Sequence, residues 1–346
     1  MPANKYQIEL EIQSINKIQS LLETMPPFCR AYFNERRTNT TVLTRLGYAR
    51  DLKLFFDWIC ETGSNMPDNP VDMTLKNFAE IEAVDIEDFV TYLQSDINRA
   101  NSNFAVARKL ACLKSFWNYF CKRDGKLVNP LFVVSMPKLH NVEIIRLESN
   151  EVSHLMDVLE APKEHFSAHQ YLYIAKTQAR DTAIIALLLG TGLRVSECVG
   201  IDYSDLHLEE SKISVRRKGG DAGIVPLTDE VKNYLEPYLG EKAEWKEDDP
   251  LFVSTQGKRI STNTILVMLR KYVQAAGINK KITPHKLRKT FGTQLYRETR
   301  DIYLVASALG HKEVATTVKH YVAQTEEDLL KARDNIHIRK QKGEKP

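Results

Sequence analysis

The stretch RDTAIIALLLGTGLRVSECVGI, residues 180–201, decides how the second half of this chain folds. Its apolar run begins at Ala183, follows Arg180 and Asp181, and ends in a glycine turn. The run is much shorter than the roughly 18 apolar residues that a membrane span requires. We therefore predict a buried helix, a turn at the glycines and a second helix that begins near Arg194.

The segments around this stretch predict a mostly helical domain with a small antiparallel sheet. Residues 211–228, SKISVRRKGGDAGIVPLT, have the pattern of two strands around a turn at Gly219 and Gly220. Pro284 favours the start of a helix in TPHKLRKTFGTQL. A further helix in SNEVSHLMDVL is predicted to begin at a Ser149 cap, whereas the polar insertion of residues 161–178 predicts no definite shape.

The first half of the chain predicts helices only. Residues 5–24 and 38–122 carry apolar residues at helical spacing, and Asp85 is the predicted cap of the helix in DIEDFVTYLQSDI. Residues 125–147 contain prolines and lack a helical period, so they predict a linker between two domains.

The polar faces of the predicted helices in the first half are mostly basic. A solvated face is the ordinary explanation of such charges, but two basic helices in one small domain also favour contact with phosphates. The candidate DNA-contacting side chains are Arg45, Arg50, Lys53, Arg108, Lys109 and Lys114.

Composition limits the class of protein without identifying it. The 346 residues carry 48 basic and 45 acidic side chains, so the net charge of +3 favours nucleic acid only weakly. Five cysteines without a CxxC pair predict reduced, buried thiols. The first residues lack the layout of a signal peptide, and we therefore expect a cytoplasmic protein without a membrane segment.

Six residues in four separate motifs have the chemistry of a phosphate-transfer site. They are Arg194 in GTGLRVSE, Lys218 in VRRKGGD, His285 and Arg288 in TPHKLRKTFGTQL, and His311 and Tyr321 in LGHKEVATTVKHYV. An ion pair with Glu197 is the competing explanation for Arg194, and Lys218 alone is an ordinary hairpin lysine.

The same residues suggest a reaction that needs neither a metal nor a nucleotide. The sequence contains no HExxH, no CxxC and no GxxxxGK[ST] motif. Arginines and a lysine suit a phosphodiester that a protein nucleophile attacks directly. A tyrosine oxygen can form a phosphoester that conserves the energy of the broken bond, which permits strand breakage and rejoining without ATP.

In this order and spacing, the four motifs resemble those of the tyrosine recombinases, the phage integrase and Xer family. His285 and Arg288 resemble the HxxR motif of that family, His311 follows Arg288 by 23 residues and Tyr321 follows His311 by 10. The resemblance extends over most of residues 38–335. Its closest match in layout is to Xer proteins that work as a single recombinase.

The resemblance implies a role for each of the six residues. Arg194 and Arg288 would bind the scissile phosphate, and His311 would hydrogen-bond one of its oxygens. Lys218 would protonate the departing 5′ oxygen, and His285 would assist proton transfer. Tyr321 would be the nucleophile, which forms a 3′-phosphotyrosyl link on the way to a Holliday junction. No metal and no other cofactor would take part.

The resemblance also implies an α+β architecture that clamps DNA between two domains. A SAM-like helical core-binding domain (residues 38–124) would follow a helical extension (1–37), and a linker (125–147) would lead to the catalytic domain (148–335) and a basic tail (336–346). The partners would be double-stranded recombination sites, bound by a homotetramer that exchanges C-terminal helices. Thr325 and Asp328 would cap the exchanged helix, and accessory proteins are compatible with this scheme.

Several functional alternatives stay open at the level of sequence. Within the family, a Xer-like enzyme that resolves chromosome or plasmid dimers is favoured over an integrase of a phage or conjugative element. A DNA-binding protein without cleavage activity and a type IB topoisomerase are less favoured. The DNA target, the order of strand exchange and the accessory factors are not encoded in any pattern that can be read from the chain.

Overall fold

The computed structural model describes residues 5–95, 101–138, 145–217, 222–311 and 314. The chain divides into two compact units between Val142 and Glu143, within the stretch predicted as a linker. The predominance of helix and the single small antiparallel sheet confirm the predicted fold class. Among the described residues, no helix is both long enough and apolar enough to cross a membrane.

The described part of the first unit consists of helices and two short 3-10 turns. The helices are α1 (Lys5–Glu23), α2 (Cys29–Arg36), α3 (Val42–Thr62), α4 (Leu75–Ala79), α5 (Ala83–Ser95) and α6 (Asn103–Cys121). The turns are Pro70–Asp72 and Pro130–Phe132. Thr41 starts α3 by accepting a hydrogen bond from the backbone N–H of Thr44, the usual role of a threonine cap.

Asp85 is not the cap of α5, which corrects the prediction. The helix begins two residues earlier, at Ala83, and the Asp85 carboxylate accepts a hydrogen bond of 2.8 Å from the backbone N–H of Glu82. A carboxylate at the third helical position can satisfy the amide that precedes the helix, so an aspartate at a helix start is compatible with either position.

Aromatic side chains from several helices form the core of the first unit. Trp117 of α6 is fully buried, and its ring centroid lies 4.3 Å from that of Phe78. Leu131 and Val134 are buried in the same core, although both come from the predicted linker. Tyr32 and Phe33 from the predicted N-terminal extension are also buried there. The first unit thus includes residues on both sides of the predicted helical domain.

The second unit combines nine described helices with one three-stranded sheet. The helices are α7 (Ser149–Glu160), α8 (Pro162–His165), α9 (Ala168–Ile174), α10 (Gln178–Thr191), α11 (Val195–Val199), α12 (Asp229–Gly240), α13 (Thr262–Ala275), α14 (Pro284–Thr299) and α15 (Ile302–Leu309). The polar insertion of residues 161–178 thus contains two short helices, α8 and α9. Ser149 is the first residue of α7, and Glu148 occupies the cap position predicted for Ser149.

Helix α10 is the buried centre of the second unit, as its apolar run predicts. The charges at its start are accommodated because Arg180 and Asp181 pair with each other at 2.6 Å. Arg180 also donates to the carbonyl of Val253 at 2.9 Å, and the Tyr272 hydroxyl donates to Asp181 at 3.3 Å. A buried ion pair is tolerated when its remaining hydrogen-bonding groups find partners, so this network fixes α10 without an exposed charge.

The sheet has the strand order β1 (Leu206–His207), β2 (Lys212–Arg216) and β3 (Ala222–Pro226). Strands β2 and β3 pair antiparallel, with Arg216 opposite Ala222 at the end of the ladder. This pairing confirms the predicted hairpin. Its turn, residues 218–221, lies outside the described residues.

Candidate active site

Arg194 lies at the cap of the short helix α11, directly after a glycine turn. Glu197 holds it in two ways: one carboxylate oxygen accepts from the Arg194 backbone N–H at 2.8 Å, and the other accepts from Nη1 at 2.7 Å. The Glu197 side chain is 6% exposed, whereas that of Arg194 is 34% exposed. The ion pair predicted as the competing explanation therefore exists, and the arginine it orients still reaches the surface.

The turn before Arg194 depends on Gly192. This residue caps α10 with a φ of 63°, in the left-handed region that side chains disfavour. A Cβ atom at this position would lie 2.4 Å from Cδ1 of Phe291, closer than van der Waals contact allows. Gly192 consequently lets α10 and α14 approach each other at the point where Arg194 leaves the turn.

Arg288 of α14 forms hydrogen bonds to residues of two other motifs, the one that carries Arg194 and the one that carries His311. It is 3% exposed, and its Nη1 donates to the carbonyl of Gly192 at 2.7 Å. Its Nη2 donates to the carbonyl of Leu309, at the end of α15. A planar guanidinium can serve two carbonyls at once, so a single side chain fixes the turn before Arg194 and the helix before His311.

His285 and His311 lie next to these contacts along the chain. His285 is exposed in the first turn of α14, which begins at Pro284 as predicted. His311 is half-buried and follows Gly310, which ends α15 with a φ of 62°. The backbone N–H of His311 donates to the carbonyl of Ala306 at 2.9 Å, so the helix end fixes the backbone that carries the histidine.

Arg217 is a residue of this region that the sequence motifs did not single out. It follows strand β2, and its guanidinium donates to the carbonyls of Ser307 and Ala308 in α15 at 3.4 and 3.5 Å. Ninety residues separate Arg217 from Ser307. The adjacent Lys218 is the only signal in the sequence that pointed to this position.

Two of the six predicted catalytic residues, Lys218 and Tyr321, lie outside the described residues. Thr325 and Asp328, the predicted cap of the C-terminal helix, lie outside them as well. The structure therefore brings together the backbone positions that carry Arg194, Arg288 and His311, while the catalytic roles of all six residues stay predictions.

Several titratable groups near the site have shifted pKa values. Burial raises the pKa of the Cys198 thiol, next to Glu197, to about 12. The pKa of the Lys289 amine is lowered, first by burial and then by the charge of Lys286. All five cysteines are unpaired, and four of them are buried. Thiols that are buried and protonated are poor nucleophiles, which argues against cysteine chemistry in this protein.

Three of the six candidate DNA-contacting side chains have partners within the first unit. Arg108 binds the buried carboxylate of Asp51, with one contact of 2.9 Å. Lys109 donates to Asn101 at 3.0 Å, and Lys53 pairs with Asp57 at 2.6 Å. These contacts give the three cations a structural role.

The remaining three candidates differ in exposure. Arg45 is 9% exposed, and the Lys114 ammonium lies 5.0 Å from the ring centroid of Phe132. Arg50 is exposed on α3 and has no ion pair among the residues that the structure describes. Arg50 is therefore the candidate best placed to meet an external phosphate.

The amino-acid sequence has clear relatives. Residues 146–328, more than half of the chain, match the phage integrase family. The tyrosine recombinase XerS of Streptococcus thermophilus is 31% identical over 362 residues, which cover 95% of this chain and 99% of the relative. The tyrosine recombinase XerC of Thermodesulfovibrio yellowstonii is 33% identical over 270 residues, covering 75% of this chain and 85% of the relative.

Solved structures share the fold at lower identity. The XerH site-specific recombinase, in a post-cleavage complex with a palindromic difH substrate, aligns with a TM-score of 0.64 and 21% identity over 86% of this chain and 81% of its own. The Tn1549 transposon integrase, in complex with a circular intermediate DNA, gives a TM-score of 0.64 and 18% identity over 90% of this chain and 100% of its own. At these identities the likeness concerns the fold alone.

Proposed function

The chain belongs to the phage integrase family, and from that premise we propose how its residues carry out the reaction and what the reaction is for. As a site-specific tyrosine recombinase it is a DNA strand-transferring enzyme. We propose that Tyr321 is the nucleophile and that Arg194, Lys218, His285, Arg288 and His311 complete the active site. The biological role that we favour is Xer-like resolution of chromosome or plasmid dimers.

The reaction begins with attack on the scissile phosphate of the DNA. The Tyr321 oxygen bonds to phosphorus while the bond from phosphorus to the 5′ oxygen breaks, which leaves a 3′-phosphotyrosyl link. Lys218 donates a proton to the departing 5′ oxygen, and His285 assists the transfer of the tyrosine proton. The 5′ hydroxyl of a partner strand then reverses these steps, so no high-energy cofactor is consumed.

The charge on the phosphate is countered by the two arginines and His311. Charge that develops on the phosphate oxygens is stabilised best by donors that are already in place before the reaction. The observation that supports this assignment most directly is the position of Arg288, which is 3% exposed and bonded to the carbonyl of Gly192. Its partners hold it rigidly beside the turn that carries Arg194.

The proposed partner is double-stranded DNA that carries a recombination site. The XerH structure is a complex with a palindromic difH substrate, and the Tn1549 integrase structure is a complex with a circular intermediate DNA. Similarity of fold supports the same class of ligand here. Phosphate contacts from the basic helices of the first unit would supply affinity that falls with salt concentration. We further propose a homotetramer on two sites, with exchange of C-terminal helices, acting in the cytoplasm.

The relatives favour dimer resolution over element integration. XerS and XerC match 95% and 75% of this chain, respectively, whereas the Tn1549 integrase is similar only in fold, at 18% identity. Deletion of the gene separates the two roles: loss of dimer resolution would produce chromosome and plasmid dimers in growing cells. A strain without the enzyme that accumulates no dimers, but fails to excise a mobile element, would support the integrase alternative.

A suicide substrate tests the chemistry directly. A duplex that carries the mapped binding site and a nick beside the scissile bond loses a short fragment on cleavage, which traps the covalent intermediate. We expect a covalent complex with the native enzyme and none with Tyr321→Phe. Joining of the trapped strand to a second duplex distinguishes a recombinase from a topoisomerase, and absence of any covalent complex would reject the proposal.

A further inference from the structure

Arg217 occupies a slot that two glycines leave open. A Cβ atom on Gly310 would lie 1.4 Å from Nη1 of Arg217, so the guanidinium fills the place of a side chain there. A Cβ atom on Gly223, in strand β3, would lie 2.6 Å from Nε of the same arginine. The side chain therefore runs from the hairpin to the end of α15 through a passage that larger residues at either glycine would obstruct.

The slot ends at the carbonyl groups of α15. Backbone amides already satisfy two of them, since Gly310 N–H donates to Ser307 at 2.9 Å and His311 N–H donates to Ala306 at 2.9 Å. The carbonyl of Ala308 accepts from Arg217, at 3.5 Å. The carbonyl of Leu309 accepts from Arg288.

The last carbonyls of a helix have no partner within the helix and carry its partial negative charge, so a cation is stabilised there. Two arginines from distant parts of the chain thus complete the end of α15, whose last residue, Leu309, lies two residues before His311.

From this geometry we propose that Arg217 is a positioning residue for the general acid. It ties strand β2 to the end of α15 and so fixes the hairpin that carries Lys218, the next residue in the chain, relative to His311. The inference rests on the proposed function, in which Lys218 protonates the departing 5′ oxygen. Arg217 itself would contact neither the DNA nor the reacting atoms.

The effect of losing Arg217 should therefore appear in protonation of the leaving group. General acid catalysis contributes roughly 10²- to 10⁴-fold, and a misplacement of about 1 Å can cost on the order of 10²-fold. We expect Arg217→Ala to slow single-turnover cleavage by about ten- to a hundredfold. Arg270→Ala, which removes an exposed arginine of α13 in the same unit, is the matched control and should leave the rate unchanged.

A substrate with sulfur at the bridging 5′ position distinguishes positioning of the acid from a general defect. A thiolate leaves without a proton because thiols are far more acidic than alcohols, with a pKa of about 8.5 for cysteine. On this substrate, Lys218→Ala and Arg217→Ala should both cleave at nearly the native rate. Arg217→Lys keeps the positive charge but loses the planar guanidinium. It should slow cleavage of the oxygen substrate less than Arg217→Ala does, and the sulfur substrate should again restore the rate. This variant replaces Arg217→Ala in the experiment if the alanine variant does not fold.

Three other outcomes would each reject a specific claim: the role of Arg217, the assignment of Lys218 as the acid, or the proposed function. Equal slowing of Arg217→Ala on the oxygen and sulfur substrates, or no slowing on either, would overturn the role of Arg217 while leaving the proposed function intact. Failure of the sulfur substrate to rescue Lys218→Ala would overturn the assignment of the acid and this inference with it. Failure of the native enzyme to form a covalent complex would reject the proposed function itself.

Discussion

Arg288 combines a structural and a proposed catalytic task in one side chain. Its guanidinium bonds to the carbonyls of Gly192 and Leu309 and is 3% exposed, so the fold cannot lose it without cost. Arg194 differs because its side chain is 34% exposed and is paired with a single carboxylate. The two arginines that we assign to one phosphate should therefore respond differently to the same substitution.

Arg288→Lys should lose both stability and cleavage. One ammonium cannot reach both carbonyls, and a buried acceptor without a partner costs about 1–3 kcal/mol. For a domain of this size that corresponds to a fall in Tm of roughly 2–4 °C per kcal/mol. Calorimetry and the suicide-substrate assay measure the two effects separately.

Arg194→Lys is the matched variant for this comparison. It should lose cleavage while its Tm stays close to that of the native protein, since the lysine can still pair with Glu197. If Arg288→Lys has the same Tm as the native enzyme, the two buried hydrogen bonds contribute little to the stability of the fold.

At this scale the sequence indicates candidate chemistry but not the contacts between distant residues. The spacing of His285 and Arg288 within one helix indicates a phosphate site, because residue type and spacing within one helix are local properties, and that assignment stays a prediction. The bond from Arg217 to Ser307 spans ninety residues, and no local pattern predicts such a contact. It depends on packing between the sheet and α15, which only the folded chain defines.

Three of the candidate site residues lie at or next to the ends of helices. Arg194 caps α11, His285 lies in the first turn of α14, and His311 follows the last turn of α15. The sequence predicted a helix after the glycine turn, which is α11, and a helix start at Pro284, which is that of α14. The predicted cap residues placed the starts of α5 and α7 less accurately, because Asp85 and Glu151 at the third helical position bond back to the residue before the helix.

The turn between α10 and α11 gives a test at the scale of the element. Gly192→Ala would suffer both from its positive φ and from contact with Phe291, whereas Gly277→Ala, at a φ of 66°, meets nothing within 4 Å. The φ alone costs about 1–2 kcal/mol, and overpacking adds roughly 1–3 kcal/mol. Urea unfolding should therefore show a larger loss for Gly192→Ala. Equal losses would mean that the contact between α10 and α14 adjusts freely.

The ion pair between Arg108 and Asp51 links α6 to α3, and we expect its contribution to the stability of the fold to depend on pH. Asp51 is buried, and burial raises the pKa of its carboxyl against the opposing effect of Arg108. Arg108→Ala would leave a buried carboxylate without its main partner, at a cost of about 1–3 kcal/mol near pH 7. Lys53→Ala, which removes a more exposed ion pair, should cost at most about 1 kcal/mol.

The sign of the pH effect follows from the raised pKa of Asp51. A raised carboxyl pKa means that the folded protein binds the proton more tightly than the unfolded chain does, so ionisation destabilises the fold as the pH rises. The deficit of Arg108→Ala should shrink as the pH falls from 7 towards 4, because the protonated carboxyl no longer buries a charge. A deficit that stays constant over this range, measured by urea unfolding, would contradict the account.

At the scale of the whole molecule, the division into two units follows from where the apolar side chains lie. Composition and periodicity predicted a helical first domain and a mixed second domain. They did not predict that Leu131 and Val134 from the predicted linker, or Tyr32 from the predicted extension, are buried in the first core. Short apolar segments without a period acquire their place from tertiary packing, which a local pattern cannot represent.

The central claim is that this enzyme cuts DNA through Tyr321, and identification of the DNA-linked peptide tests it most directly. The covalent complex on the nicked duplex is digested with trypsin and nuclease, and the modified residue is located by mass spectrometry. We predict a nucleotide on Tyr321, within the tryptic peptide of residues 320–331, attached through its 3′ phosphate. A nucleotide on any other residue, or one attached through a 5′ phosphate, would contradict the account.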